Sequence, residues 1–241
     1  MTWSSVLMGA AAVPSHTAEE LSPQEGYGLL LALMSEKTKE RKEAAAKLIA
    51  ARDLSLVPGL VDSIFFMPKI ARAEAFEALE GLTGEKRGTR YLDWIELVGA
   101  HEEWKPKEGY IEWKVALYSR IDKTYQKVFY KGAPTRIRLE EIVSGGVPFE
   151  GIPALDHPAV IPASQADYLK DGEKVFGVSL GGEQRAYPLR ILDWHEMLND
   201  EVGGEPITLS YCTLCGSGVL FSTRTPAGKA YTFGTSGLLY R

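Results

Sequence analysis

The chain contains 241 residues, a length typical of one large domain or two small ones. It carries 27 basic and 32 acidic residues, a net charge of −5, and 45% of its residues are hydrophobic. This composition is that of a folded globular protein, and the mild negative charge argues against a nucleic-acid partner. Two cysteines exclude a disulfide-rich scaffold, and no apolar run approaches the roughly 18 residues of a transmembrane helix.

The first 20 residues permit two interpretations. Val6 to Val13 is similar to the end of the apolar region of a signal peptide, with small residues nearby for cleavage. A signal peptide also needs a positively charged start and a longer apolar core, and this segment has neither. Residues 1–20 are therefore predicted to be a leader or a disordered terminus.

Residues 21–104 carry helix signals and almost no strand signals. Strong helix formers between Thr38 and Arg52 alternate with apolar positions at helical spacing. The sequence also matches itself at an offset of 31 residues, which places Leu30, Val61 and Leu92 in equivalent positions. Repeats of this length are typical of stacked helix pairs, so we predict HEAT-like helical repeats. The predicted helices span about 24–35, 38–51, 55–66, 68–81 and 89–100.

Prolines and glycines mark the ends of these helices. Pro58 and Pro68 suit helix starts, because the first N–H groups of a helix have no acceptor within it and a proline there removes no hydrogen bond. Gly81 and Gly84 suit a helix end. Two roles for the repeats stay open: a surface that binds a protein partner, or a helical cap on the second domain.

Residues 105–135 are predicted to connect the two domains through a helix and a short extended segment. Trp113, Leu117 and Tyr118 have helical spacing within an aromatic-rich stretch. No low-complexity linker is present, which favours two domains packed together over a flexible tether.

Residues 136–241 have the pattern of a β-rich domain. Residues 175–180 and 184–188 predict a hairpin with a glycine turn, and residues 188–199 predict a helix with Ile191, Trp194 and Leu198 on one face. Further strands are predicted at 207–211, 219–223 and 230–233, with a turn at 201–206. The fold class is therefore α+β, with helical repeats followed by a mostly antiparallel β domain. The chain ends within a strand-like apolar run at Arg241, so we expect this domain to be truncated at its C-terminus.

The segment with the clearest chemistry is Cys212-Thr-Leu-Cys-Gly216, which contains both cysteines of the chain. A C-x-x-C pair has three common roles: a redox dithiol, a metal knuckle, or structural thiols. In thioredoxin-like proteins a helix follows the pair, but here a strand-like segment follows. The pattern favours a C-x-x-C-G knuckle at the tip of a strand–turn–strand, whose two thiolates need at least one more ligand to hold zinc or copper.

His195 is the candidate third ligand, because it lies on the predicted helix just before the Cys212 strand. The same histidine beside Trp194 is also typical of a half-buried structural residue. Glu196 is a candidate general acid/base or a carboxylate supporting a metal ligand, and Asp193 is the alternative to it. Asp156 and His157, in a proline-bounded loop, are weaker candidates for a turn cap and a ligand.

The same motifs resemble the domain of unknown function 3179 family of bacteria and archaea. The resemblance covers about residues 136–241, and its motifs recur in the family's order: residues 151–156, 185–196, 199–200, 202–204, 211–216 and 232–239. It implies export or membrane anchoring, since members often have that character, and a chain that continues past Arg241. The sequence has Thr213 where the family often has proline and His157 where it often has asparagine, which argues against His157 as a shared ligand.

Three functions follow from these observations. The leading one is a metal-binding protein in which Cys212, Cys215 and His195 hold zinc or copper. The second is a thiol–disulfide oxidoreductase in which Cys212 attacks and Cys215 resolves. The third is a non-catalytic interaction module. No phosphate loop or dinucleotide fingerprint is present, so no nucleotide cofactor is expected.

Overall fold

The computed structural model describes residues 21–240, and the predicted leader at residues 1–20 lies outside this range. Helices come first and strands later, which confirms the α+β prediction. The chain divides into two compact units, one ending at Tyr110 and the other beginning at Ile111. The domain boundaries inferred from the sequence at 104 and 135 stay predictions.

The first unit is built from helices that match the predicted ones within a few residues. They are α1 (Pro23–Leu33), α2 (Thr38–Ala51), α3 (Val57–Phe66), α4 (Arg72–Thr83) and α5 (Tyr91–Ala100). Within the pairs, helix α1 contacts α2, and α3 contacts α4. Between the pairs, α3 contacts both α1 and α5, and α2 contacts α4. Stacked helix pairs require such contacts. The HEAT-like assignment and its protein partner stay predictions.

The ends of these helices follow from local hydrogen bonding. Ser22 and Glu25 form a reciprocal capping box at the start of α1. Gly84 ends α4 in the left-handed conformation, with φ 74°. The prediction that α4 ends at Gly81 is wrong, because this glycine lies inside the helix. A Cβ atom there would collide with the Ile49 side chain of α2, so Gly81 allows the two helices to approach.

Helix α6 (Tyr110–Tyr118) begins at the division between the units. The sequence predicts an extended segment after α6. This prediction is wrong, because residues Lys123–Lys127 form a 3₁₀ helix. The Asp122 side chain accepts a hydrogen bond from the Thr124 N–H and starts this turn. Tyr125 is buried at its centre.

Three sheets form the rest of the second unit. The described strands are β1 (Ile142–Ser144), β2 (Leu155–Asp156), β3 (Val175–Leu180), β4 (Glu183–Pro188), β5 (Met197–Val202), β6 (Glu205–Cys212), β7 (Ser217–Ser222) and β8 (Leu238–Tyr240). The largest sheet has the order β2-β5-β6-β7, β3 pairs with β4, and β1 pairs with β8. Only the short β2–β5 pairing is parallel among the described strands, as a mostly antiparallel domain requires.

Two predicted elements of this unit are wrong in extent. Helix α7 (Leu189–His195) is shorter than predicted, because β5 begins at Met197 and pairs with β6. The segment 230–233 is not a strand: only Ala230 forms an isolated bridge, with Arg224. Helix α7 is shortened by the pairing of β5 with β6, whereas the 230–233 segment lacks a ladder partner among the described residues.

A hydrophobic core joins the hairpin, α7 and the largest sheet. It consists of Val178, Tyr187, Leu192, Leu198, Val202, Ile207, Leu209 and Tyr211. This core fixes α7 beside β6, and so places the end of the helix near the β6–β7 turn. No helix of residues 21–240 has the length and apolar character needed to cross a membrane.

Candidate functional site

The two cysteines lie at the tip of the β6–β7 hairpin. Cys212 ends β6 and faces Ser217 across the ladder, so residues 213–216 form the turn. Gly216 adopts φ 62° and its N–H donates to the Cys212 carbonyl oxygen at 2.8 Å. Glycine adopts this left-handed conformation without strain. The predicted strand–turn–strand around the C-x-x-C-G segment is therefore present, and its role as a metal knuckle stays a prediction.

The Cys212 and Cys215 thiols are free and in contact. Cys212 is half-buried and Cys215 is exposed. Their sulfur atoms lie 2.8 Å apart, and the Cys215 N–H donates to the Cys212 sulfur at 3.3 Å. A disulfide bond is about 2.05 Å long, so its formation moves the sulfurs together by less than about 1 Å.

The turn makes the two thiols unequal. The hydrogen bond from the Cys215 thiol holds the pKa of Cys212 below its ordinary value, and the backbone N–H groups of Cys215 and Leu214 add to this effect. Burial and the Glu196 carboxylate oppose it. The hydrogen bond to Cys212, and then the Cys212 charge, raise the pKa of Cys215. The first proton is therefore lost from Cys212, and the remaining thiol stabilises that thiolate.

The C-terminal end of α7 supplies the carboxylates of the site. Glu196 ends the helix with φ 55°, and its carbonyl oxygen accepts the Tyr211 N–H at 2.8 Å. Its carboxylate Oε1 accepts the Thr213 hydroxyl at 3.1 Å. Burial raises the pKa of Tyr211, as do the charge of Asp193 and its hydrogen bond with Asp193. The candidate acid/base Glu196 thus lies beside the turn.

His195 is oriented by the loop before β2. Its Nδ1 lies 2.9 Å from the Pro153 carbonyl oxygen. A carbonyl oxygen only accepts hydrogen bonds, so Nδ1 carries the proton and, in the neutral ring, the lone pair is on Nε2. Within residues 21–240, no three His, Cys, Asp or Glu side chains are grouped as a metal site requires. The assembly of His195 with both cysteines stays a prediction.

Trp194 is not part of the core, in contrast to the predicted helix face. Its side chain is 78% exposed. Leu198 is fully buried, but from β5 and not from the helix. The helix ends before it completes the predicted apolar face, which leaves Trp194 in solvent near the end of α7.

Asn199 holds the loops behind the site, a role that sequence reasoning missed. Its Nδ2 donates to the Asp156 carboxylate at 2.6 Å and to the Phe233 carbonyl oxygen at 2.8 Å. Its Oδ1 accepts the Phe233 N–H at 3.1 Å and the Thr208 hydroxyl at 3.0 Å. Its backbone carbonyl accepts the N–H of His157, whose side chain is exposed. The available signal was the position of Asn199 in the 199–200 motif of the family resemblance.

An apolar groove of about 790 Å³ lies elsewhere in the second unit. Residues of the 158–169 loop line one side, and the β3–β4 hairpin and α7 line the other. Val160, Ile161 and Tyr168 contribute its exposed apolar surface. None of the turn residues 212–216 lines this groove. Cys215 is itself exposed, so its thiol is open to solvent.

Replacing Glu196 with glutamine is expected to lower the pKa of Cys212. The carboxylate charge opposes thiolate formation, whereas a glutamine still accepts the Thr213 hydrogen bond. The pH profile of Cys212 alkylation by iodoacetamide in a Cys215→Ser background should therefore move to lower pH. Glu201→Gln, an exposed carboxylate on β5, is the control and should leave the profile in place. An unchanged or upward profile for Glu196→Gln would contradict the assigned charge effect.

Residues 149–241 match the family described as "Protein of unknown function (DUF3179)". The match contains β2 to β8, α7 and the dithiol turn, and it confirms the resemblance inferred from the motifs. Four of those motifs meet in the structure. His195 and Asn199 are hydrogen-bonded to residues of the 151–156 motif, and Asn199 also holds Phe233 of the 232–239 motif. No curated protein and no solved structure matches the chain.

Proposed function

We propose that the β6–β7 turn is a reversible dithiol–disulfide site and that the protein exchanges disulfides with a partner molecule. The contact of the two sulfur atoms at 2.8 Å on a solvent-facing turn carries this proposal. Cys212 and Cys215 are the only cysteines of these 241 residues, so the thiol chemistry of this chain belongs to this pair.

The exchange needs no further reagent. The Cys212 thiolate attacks one sulfur of a substrate disulfide, the S–S bond breaks, and the leaving thiolate takes up a proton. Cys215 then loses its proton and attacks the Cys212 sulfur of the mixed disulfide, which releases the second substrate thiol. The protein loses two electrons and two protons, and the substrate gains them.

The ordering of the two steps is supported by the pKa directions. Cys212 has the lowered pKa and is the first nucleophile, while Cys215 keeps its proton until the mixed disulfide forms. Once Cys212 is bonded to substrate it carries no charge, and the main cause of the raised Cys215 pKa is removed. Glu196, beside Thr213 in the turn, is the nearby carboxylate that can accept this proton.

The test is a single-turnover exchange between the reduced protein and hydroxyethyl disulfide without oxygen. Wild-type protein should release two small thiols per chain and gain a Cys212–Cys215 disulfide that mass spectrometry detects. Cys215→Ser should stop at a mixed disulfide with one thiol released, and Cys212→Ser should slow the release by about tenfold or more, since its remaining thiol lacks the lowered pKa. A Cys215→Ser chain that turns over like wild type, or a wild-type dithiol that stays reduced, would overturn the proposal.

A metal site is the second candidate, because His195 makes the hydrogen bond that metal-bound histidines make. Its Nδ1–H donates to the Pro153 carbonyl oxygen, which orients the ring and leaves Nε2 to bind. Two thiolates and an imidazole suit zinc or copper in kind. Elemental analysis separates the two functions. About one metal per chain, lost in both Cys212→Ser and His195→Ala, would favour this candidate, whereas disulfide exchange does not depend on His195.

A further inference from the structure

Two exposed hydrophobic side chains belong to the dithiol turn and to the helix end that is hydrogen-bonded to it. Leu214, between the two cysteines, is 88% exposed, and Trp194 of α7 is 78% exposed. They are the two most exposed large hydrophobic side chains of the described residues. A single exposed apolar residue is ordinary, but two such side chains beside one reactive pair form a surface that a partner can cover.

Both side chains belong to segments that hydrogen bonds tie together. Trp194 lies between Asp193, whose charge acts on Tyr211 of β6, and the His195–Glu196 helix end. Glu196 in turn accepts the hydroxyl of Thr213, the neighbour of Leu214. The helix end and the turn are therefore held together, and a molecule that reaches the thiols meets this apolar surface.

The charge beside the thiols is negative. Asp193 interacts with Tyr211, and the Glu196 charge acts on Cys212. No lysine or arginine of residues 21–240 forms an ion pair with either carboxylate. An anionic small disulfide such as glutathione disulfide is repelled by this charge, whereas a basic segment is attracted.

We propose that the exchange partner of the dithiol is a polypeptide whose cysteine is flanked by apolar and basic residues. This inference rests on the proposed exchange and names its substrate class. Trp194 and Leu214 contact the apolar residues, while Asp193 and Glu196 favour the basic ones. Tryptophan is enriched among the side chains that dominate protein–protein binding, because its large rigid surface loses little entropy on contact.

The test compares three disulfides in single-turnover exchange: hydroxyethyl disulfide, a peptide disulfide flanked by leucine and lysine, and a peptide of the same length flanked by serine and glutamate. The leucine–lysine peptide should react fastest, and its rate should fall as salt screens the carboxylates. Trp194→Ala should lower the exchange rate with this peptide by about fivefold or more. This is the loss expected when an interface side chain that contributes about 1 kcal/mol is removed. The same variant should slow the reaction with hydroxyethyl disulfide by a much smaller factor, because this small disulfide covers little of the indole.

A control variant keeps the outcomes separate. Leu92→Ala removes an exposed leucine of α5 in the first unit and should change none of the rates. Equal rates for the two peptides, or a Trp194→Ala effect that is the same with hydroxyethyl disulfide, would overturn the polypeptide proposal while the exchange itself stands. No reaction of wild-type protein with any of the three would overturn the proposed function.

Discussion

Replacing Asn199 with alanine is expected to destabilise the second unit by about 3 kcal/mol, because it breaks several buried hydrogen bonds at once. The side chain is only 3% exposed. Its hydrogen bonds join β5 to Asp156 of β2, to Thr208 of β6 and to Phe233. Its removal leaves the buried Thr208 hydroxyl with fewer partners and frees the backbone groups of Phe233. Thermal unfolding followed by circular dichroism should show a fall in Tm of roughly 10 °C.

Glu201→Ala is the matched control, since this residue lies two positions further along the same strand with its side chain exposed. It should change Tm by no more than about 2 °C. Limited proteolysis gives a local measurement, because Asn199→Ala should expose the chain around Phe233 before the rest of the unit unfolds. An Asn199→Ala protein as stable as the control would show that these hydrogen bonds contribute nothing net.

The second large effect is expected at Gly203, in the turn between β5 and β6. This residue has φ 59°, and an added Cβ would collide with the backbone of Leu180 and Gly181 in the β3–β4 turn. The two glycine turns pack backbone against backbone, and the Gly203 N–H donates to the Glu183 carboxylate at 2.8 Å. That hydrogen bond, with help from Arg185, holds the pKa of Glu183 below its ordinary value. Gly203→Ala should therefore cost more than about 3 kcal/mol, from strain and displaced backbone together.

Gly204→Ala separates the two causes. Gly204 has φ 79°, but no atom lies within 4 Å of its added Cβ. Only the left-handed strain applies there, about 1–2 kcal/mol. Chemical denaturation should give Gly203→Ala a free energy of unfolding well below that of Gly204→Ala. Equal losses would mean that the two turns move apart without cost.

The helices and the dithiol turn were predictable because their causes are local. Residues three or four positions apart decide whether a helix buries one face, so the pattern near Leu48 placed α2 at its observed bounds. The C-x-x-C-G spacing predicted a turn, and the cause is local: the Gly216 N–H donates a hydrogen bond to the carbonyl oxygen of Cys212, four residues earlier. The β3–β4 hairpin followed in the same way from its two adjacent glycines.

The end of α7 was not predictable from the residues around it. Met197 and Leu198 suit a helix as well as a strand, and the decision comes from pairing with Ser210 and Leu209 of β6. That pairing ends the helix at His195 and leaves Trp194 in solvent. The segment at Phe233 likewise lacks a strand partner among the described residues and is held by Asn199 instead.

The sequence by itself determined the fold class, the helices, the β3–β4 hairpin and the turn that contains both cysteines, since each depends on residues close together in the chain. Only the tertiary structure decided what surrounds the thiols. It brings Glu196 to Thr213, turns His195 toward Pro153 and makes Asn199 the anchor of two loops. These contacts join residues up to 42 or 43 positions apart, and their partners are selected by burial and strand register, which short-range patterns do not encode.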